Sequence, residues 1–188
     1  EIGDTVQSVE DLKGKTLFAS GKGATPEYAL SYILSENGID PEKDVTIEWK
    51  SEHTECLTSL ISSENGVALL PQPFVTSAQA KNDQVRVALD LTEEWDRIQE
   101  GKENASSLLT GVLIARTAFL DENPDAAEAF LAHYRDSVAY VNENTEEAAA
   151  LVGQYDIVPE AVALKALPAC NIVCITGDEM KQKLSGYL

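Results

Sequence analysis

The chain has 188 residues, which is enough for one good-sized domain or for a small pair of domains. Apolar residues make up 44% of it, so the chain can build a hydrophobic core and is not a disordered tail. Its formal net charge of -18 argues against nucleic acid or an anionic membrane as a partner, because both require a basic face. No apolar run approaches the length of a membrane span.

The chain has three cysteines, Cys56, Cys170 and Cys174, and this odd number excludes a disulfide framework that uses them all. Cys170 and Cys174 lie four residues apart with no histidine nearby, which is a weak metal signal. We therefore expect buried free thiols and neither a metal nor another cofactor. The chain begins at Glu1 and its only methionine is Met180, which predicts a processed product or an excised piece, with any signal peptide or anchor outside the sequence.

A glycine-rich loop joins the first predicted strand, residues 16–20, to the first predicted helix. Thr25 suits the N-cap of this helix and Pro26 its first position, and Gly38 suits its end. Free amides and the positive end of the helix dipole would face the space beyond the strand, which predicts a site for an anion or a polar small molecule. Alternatively, the glycines serve only the turn between strand and helix. The pattern is neither the dinucleotide-binding fingerprint nor a P-loop.

The alternation of strand and helix continues after this first helix. Three further strands are predicted by β-branched or apolar runs, at residues 45–49, 67–70 and 85–89. Two helices are predicted between them, at residues 55–62, with Thr54 as the N-cap, and at residues 74–81. This order predicts an α/β fold with a mostly parallel sheet flanked by helices. Ligands of such sheets gather at the carboxyl ends of the strands, here residues 20–25, 51–54 and 71–73.

Helices dominate the composition after about residue 118. Before that point, residues 92–104 predict a long loop with a helical turn or two, and residues 109–115 predict a long apolar strand. Helices follow at residues 124–144, 145–152, 160–167 and 178–188. His133 falls on the polar side of the first of these helices, so we expect it at the surface. The chain is either one domain with a helical cap or one domain followed by part of another.

Four motifs now stand in one order along the chain. They are Asp11-Leu12-Lys13-Gly14-Lys15-Thr16, Gly23-Ala24-Thr25-Pro26-Glu27-Tyr28-Ala29-Leu30, Leu70-Pro71-Gln72-Pro73-Phe74 and Phe119-Leu120-Asp121-Glu122-Asn123-Pro124. In this order they resemble the extracytoplasmic solute-binding proteins of ABC importers, above all the branch for sulfonates, nitrate, taurine and pyrimidine-type thiamine precursors. The resemblance covers nearly the whole chain. It implies the fold of the type 2 periplasmic binding proteins, in which two α/β lobes trap a solute between them.

The resemblance also implies how the chain is divided and where it works. Residues 1–15 would lead in from the first lobe, residues 16–108 would form the second α/β lobe, and residues 109–188 would supply a crossing strand and the helical tail of an incomplete first lobe. The implied partners are a small anionic or heteroaromatic solute and the permease subunits of the importer. The implied location is extracytoplasmic, in the periplasm or lipid-anchored at the outer face of the cell membrane. Apolar surface exposed on the helical tail would be covered in a dimer of the fragment.

Seven residues are carried over as one wall of the solute site. They are Ser20, Gly23, Ala24, Thr25, His53, Thr54 and Gln72. The resemblance implies that the helix start at Thr25 holds the polar or anionic group of the solute and that Gln72 offers it an amide. Two alternatives stay open, because His53 could be an exposed neighbour of a helix cap and Gln72 could point to water from a rigid turn. Four aromatic residues are candidates to stack on an organic solute, namely Tyr28, Tyr32, Trp49 and Trp95, and core packing is the better interpretation for Tyr32 and Trp49.

Two other classes of function compete with a binding protein that performs no chemistry. The same branch includes pyrimidine-precursor synthases that use a cysteine-rich metal-binding motif and an active-site histidine, but this chain has no cysteine cluster. No nucleophile elbow surrounds any serine, so we expect no enzyme. The alternative is the ligand-sensing effector domain of a regulator, which would carry a helix-turn-helix upstream, and the acidic balance disfavours contact with DNA.

Overall fold

The computed structural model describes residues 1–188, which form two compact units. Unit 1 comprises residues 1–108 together with 182–188, and unit 2 comprises residues 109–181. None of the helices combines the length and the apolarity that crossing a bilayer requires.

A three-stranded parallel sheet lies at the centre of unit 1. Its strands are β1 (Thr16–Ser20), β2 (Thr46–Lys50) and β3 (Val67–Ala68), in the order β2-β1-β3. Helix α1 (Thr25–Glu36) connects β1 to β2, and helix α2 (His53–Ile61) connects β2 to β3. All three strands are parallel, and Ser20 pairs in register with Lys50, so the carboxyl ends of β1 and β2 meet at one edge. This confirms the predicted α/β architecture of the first half of the chain.

The main core of unit 1 lies between the sheet and α1. Leu30, Ile33 and Leu34 of α1 pack here with Leu17 of β1, as their helical spacing predicts. The first residues of the chain belong to the same core through a short 3-10 turn, Val9–Leu12, and through Val6. A second cluster lies under α2 and is formed by Ile2, Leu57, Leu60, Ala78 and Val85.

Two more helices and the end of the chain complete unit 1. Helix α3 spans Phe74–Lys81 and helix α4 spans Leu91–Gln99. The ring of the buried Trp95 of α4 packs on the ring of Tyr32, with 4.6 Å between the centroids and a tilt of 43°. This confirms the interpretation of Tyr32 as a packing residue, and Trp95 is a core residue as well. Tyr187 packs on the same tryptophan with its ring centroid 5.4 Å away, so the last residues are fixed to unit 1 by aromatic contacts.

Unit 2 is helical. Its elements are α5 (Thr117–Glu122), α6 (Pro124–Glu143), α7 (Thr145–Gln154), α8 (Glu160–Ala166), a 3-10 turn (Leu167–Ala169) and the first residues of α9 (Gly177–Tyr187). Small side chains let α7 and α8 approach closely, because a Cβ on Gly153 would come within 2.9 Å of the Cβ of Glu160. Ala148, Ala149 and Ala163 are buried in the same unit. In contrast, Val138 is the only buried residue among the twenty of α6.

Three strand predictions are wrong in extent or kind. Residues 109–115 form no strand, because no other segment of the chain pairs with their backbone, and most of them are exposed. Residues 85–89 form only an isolated antiparallel bridge between Val85 and Ile2. The run 67–70 gives a strand of only two residues, although the amide of Leu69 still donates to the carbonyl oxygen of Phe18 at 2.8 Å. Pro71 has no amide to continue the ladder.

Candidate functional site

The predicted glycine-rich loop leaves the carboxyl end of β1 and turns sharply into α1. Gly21 and Gly23 both have positive φ angles, +84° and +78°, which favour glycine over residues with side chains. At Gly21 a side chain is excluded for a second reason, because its Cβ would approach the ring of Pro26 to 2.9 Å. The amide of Ala24 donates to the carbonyl oxygen of Gly21 at 3.1 Å and closes the turn.

Helix α1 begins without the cap that its sequence predicts. Its N-cap is Ala24, which has no polar side chain, and Thr25 is the first helical residue. The prediction of Thr25 as the N-cap is therefore wrong. The carboxylate of Glu27 replaces the cap, since it accepts a hydrogen bond from the amide of Gly23 at 2.5 Å. No protein acceptor is bonded to the Thr25 amide, so this donor of the loop is free.

Helix α2 begins in the same way at the end of the neighbouring strand. Its N-cap is Glu52 and its first residue is His53, so the prediction of Thr54 as the N-cap is wrong. The carboxylate of Glu55 accepts a hydrogen bond from the amide of Ser51 at 3.0 Å. In both helices the third residue is thus a glutamate that reaches back to the amide just before the N-cap. This arrangement orders both loops and places a carboxylate beside each of them.

Two of the predicted site residues from different strands are in direct contact. The hydroxyl of Ser20 lies 2.6 Å from Nδ1 of His53, and Ser20 is buried with only 3% of its surface exposed. The ring of Phe74 lies against the imidazole, with 5.0 Å between the ring centroids. Cys56, on the same helix as His53, is fully buried. Burial raises the pKa of this thiol, and the hydrogen bond from Ser20 opposes that shift.

Gln72 and Thr54, two other predicted site residues, are less well placed to contact a solute. The side-chain oxygen of Gln72 accepts from the hydroxyl of Thr76 at 2.9 Å and from its amide at 3.3 Å, so this oxygen is already occupied. The peptide bond between Gln72 and Pro73 is cis. Thr54 lines an open depression of about 500 Å³ with Lys50, Glu55, Thr58 and Ser59.

A second depression, of about 460 Å³, lies at the opposite edge of the sheet. Lys15 and Thr16 line it at the amino end of β1, and Gly66 and Val67 line it at the amino end of β3. None of the seven predicted residues lines it. The glycine-rich loop lines neither depression, because it is open to solvent on the outer side of the turn.

Sequence reasoning missed four residues that shape this edge. Glu27 and Glu55 were detectable, because a glutamate at the third position of a helix is a known capping signature. Phe74 and Cys56 were placed in helices, but no local pattern links them to Ser20 and His53. Cys56 is buried as expected, whereas Cys170 and Cys174 are partly exposed, so the burial prediction is wrong for those two. No group of three or more His, Cys, Asp or Glu side chains is placed to hold a metal ion.

Comparison with known proteins identifies the family. Residues 2–148 match the family described as "NMT1/THI5 like", which is well over half of the chain. The chain belongs to this family. No curated protein matches it.

Solved structures of low sequence identity share the fold of this NMT1/THI5-like chain. The periplasmic aliphatic sulphonate binding protein SsuA from Escherichia coli matches with a TM-score of 0.71 at 18% identity, over 97% of this chain and 58% of that one. An ABC transporter structure from Parabacteroides distasonis matches with a TM-score of 0.71 at 19% identity, over 92% of this chain and 57% of that one. The alkanesulfonate-binding protein SsuA from Xanthomonas axonopodis pv. citri, bound to MOPS, matches with a TM-score of 0.65 at 16% identity, over 96% of this chain and 57% of that one.

These matches confirm the fold class and the resemblance to binding proteins of ABC importers. The chain spans about 57% of the length of the solved structures that it matches. At these identities the likeness concerns the fold alone, so the solute and the partners are matters of proposal.

Proposed function

We propose that this chain is part of the solute-binding component of an ABC import system. It captures a small anionic or heteroaromatic solute in a cleft between two lobes and presents it to the permease. The observation that carries this proposal is the meeting of Ser20 and His53, from two neighbouring strands, at the carboxyl edge of a parallel sheet in a member of this family. Ligands of open α/β sheets bind at this edge.

The edge offers the donors that a small solute needs. The amide of Thr25 is free, and it points outward from the first turn of α1, where the helix dipole favours an acceptor. No protein group is bonded to Nε2 of His53, so the imidazole offers a second polar atom. Tyr28 is 65% exposed on the first turn of α1 and provides an aromatic face beside the loop. The assignment of residues 16–108 to one wall of the cleft, and of the helical part to the other lobe, belongs to this proposal.

Binding without chemistry is the function that these side chains support best. A serine that is 97% buried is poorly placed to attack a substrate, and no carboxylate is bonded to His53 to orient it as a base. The Cys56 thiol is buried and its pKa is raised by burial, so it is a poor nucleophile. We propose an extracytoplasmic location, in the periplasm or at a lipid anchor, because capture for import takes place there.

We also propose that the helical unit associates with a second copy of the chain. On α6, Phe130 is 51% exposed, and Leu131 and Tyr134 beside it are exposed as well. The rings of Phe130 and Tyr134 stack with 6.3 Å between their centroids. A contiguous apolar face of this kind favours burial against another surface, and in a pure preparation the available surface is a second copy.

A thermal-shift screen tests the binding function directly. The panel contains ethanesulfonate, taurine, nitrate and a thiamine-precursor pyrimidine, each added over a range of concentrations. A solute that binds the native state raises the melting temperature in proportion to the logarithm of its concentration once the site is saturated. His133→Gln serves as a control, because His133 is exposed on α6 in unit 2 and should leave the shift unchanged. A panel in which no solute raises the melting temperature contradicts the proposal.

A further inference from the structure

A buried hydroxyl and a partly exposed imidazole are in contact at the carboxyl edge of the unit 1 sheet. The Ser20 hydroxyl lies 2.6 Å from Nδ1 of His53. Ser20 is nearly fully buried, while His53 is partly exposed. The pair therefore runs from the interior of unit 1 to its surface and ends at the imidazole.

The direction of this hydrogen bond follows from the groups present. Ser20 has one hydroxyl proton, and the better acceptor beside it is the imidazole nitrogen, since the Cys56 thiol accepts poorly. Ser20 therefore donates to Nδ1 of His53. A neutral imidazole that accepts at Nδ1 carries its proton on Nε2.

The imidazole is also fixed in orientation. Its Nδ1 is bonded to Ser20, its ring contacts Phe74 at a centroid distance of 5.0 Å, and its backbone lies in the first turn of α2. No protein atom is bonded to Nε2. A donor that is oriented by its neighbours and has no partner of its own loses little entropy when it binds a ligand.

We propose, resting on the function proposed above, that the Nε2–H of His53 is the donor that selects the solute. It requires a hydrogen-bond acceptor on the solute, which an oxygen of a sulfonate or an unprotonated ring nitrogen of a pyrimidine supplies equally. Ser20 is the positioning residue, because its hydroxyl fixes the tautomer. A solute of the same shape that lacks the acceptor leaves Nε2–H without a partner and is bound more weakly by tenfold or more.

Nitrogen spectroscopy of the whole chain tests the tautomer without any ligand. The chain has two histidines, His53 and His133, so a sample labelled with nitrogen-15 in histidine gives two readable sets of signals. At about pH 8 His53 should show the Nε2–H tautomer alone. His133, which is exposed, should show the exchanging mixture of a free imidazole. A proton on Nδ1 of His53, or exchange like that of His133, overturns the proposal.

Adding ethanesulfonate or the thiamine-precursor pyrimidine tests the role in binding. The Nε2 signal of His53 should move and saturate with whichever probe raises the melting temperature, while the signals of His133 stay in place. A probe that raises the melting temperature and leaves His53 unmoved overturns this inference and leaves the proposed function standing. If neither probe raises the melting temperature, the proposed function fails for both and this inference fails with it.

Substitutions separate the donor from the bulk of the ring. His53→Gln keeps an N–H donor near the position of Nε2 and should retain binding within a few-fold, whereas His53→Leu should weaken it tenfold or more. Ser20→Ala should return His53 to a mixture of tautomers and weaken binding without touching the solute. Equal dissociation constants for the glutamine and leucine variants overturn the proposal. If a variant fails to fold, the nitrogen spectrum of the unsubstituted protein still tests the tautomer of His53 and can overturn the proposal.

Discussion

The carboxylate of Glu27 accepts a hydrogen bond from the amide of Gly23 at 2.5 Å, inside the loop that leaves β1. An amide that an anionic ligand would use is therefore already bonded to an anion of the protein. Glu55 repeats the arrangement on the amide of Ser51. The loop was predicted as a set of free amides, and the structure leaves the amide of Thr25 as a free donor beside the bonded amides of Gly23 and Ala24.

Removing the charge of Glu27 should favour anionic solutes. Glu27→Gln keeps an oxygen that can accept from Gly23 but removes one negative charge beside the loop. At a separation of about 6 Å in water one charge is worth roughly 0.7 kcal/mol, so the affinity for ethanesulfonate should rise about threefold. The affinity for a neutral pyrimidine should stay the same, as measured by isothermal titration calorimetry.

Glu10→Gln is the matched control for that experiment. Glu10 is exposed in the 3-10 turn before β1, at the other end of the strand, and its substitution changes the net charge by the same amount. Equal gains in both variants would mean that the overall charge, and not the carboxylate at the loop, governs anion binding.

Thr25 and Asp90 both look like helix caps in the sequence, but replacing them by alanine should lower the free energy of unfolding by very different amounts. Thr25 is the first residue of α1 and its side chain caps nothing, so Thr25→Ala should change the free energy of unfolding by less than about 0.5 kcal/mol. Asp90 is a true N-cap of α4, whose side chain accepts from the amide of Thr92 at 2.8 Å. Asp90→Ala should cost about 1 kcal/mol. Urea unfolding measures both, and a larger loss in Thr25→Ala would restore Thr25 as a cap.

Asp11 should make stability depend on pH. Its carboxylate accepts from the amides of Gln7 and Ser8 at 2.9 and 3.0 Å, and these hydrogen bonds lower its pKa. A carboxyl whose folded pKa is lowered contributes stability that is complete above its unfolded pKa of about 4 and is lost as the pH falls through the folded pKa. The stability difference between the natural chain and Asp11→Asn should therefore be constant near neutral pH and disappear in acid.

The control for Asp11 is Asp4→Asn, because the Asp4 side chain is exposed and accepts no hydrogen bond in the structure. Urea unfolding at a series of pH values gives the difference for each pair. A difference for Asp11→Asn that persists unchanged into acid would mean that the bonds to Gln7 and Ser8 do not depend on the charge.

The exposed face of α6 should drive self-association. Sedimentation velocity over a wide range of concentrations should show a monomer that converts to a dimer as the concentration rises. Phe130→Ser removes the most exposed ring of that face and should shift the conversion to higher concentration, while Tyr155→Ser changes an exposed aromatic residue of unit 2 outside α6. A chain that sediments as a monomer at every concentration contradicts the proposed dimer.

Local patterns predicted the elements of this fold well where each element carries its own signals. Helix α1 shows apolar residues at helical spacing, a proline in its first turn and a glycine with positive φ just after its end at Gly38. The run at residues 109–115 is as apolar as a buried strand, but a strand depends on a partner that no local pattern reveals. The same limit explains residues 85–89, whose backbone pairs with the first residues of the chain.

The predicted site was harder to read because its chemistry depends on contacts between distant residues. The order of strands and helices predicted that Ser20 and His53 come to the same edge, although 33 positions separate them. It could not predict that Ser20 bonds Nδ1, that Phe74 packs on the ring, or that Gln72 turns back to Thr76. The role of these residues in binding stays a prediction.

An amide chemical-shift map of the whole chain, titrated with the solute that gives the largest thermal shift, locates the solute site. We expect the largest saturable changes at residues 20–25 and at His53 and Thr54, at the carboxyl edge of the sheet. Changes concentrated instead around Lys15, Asn65 and Gly66, in the depression at the opposite edge, would contradict this expectation.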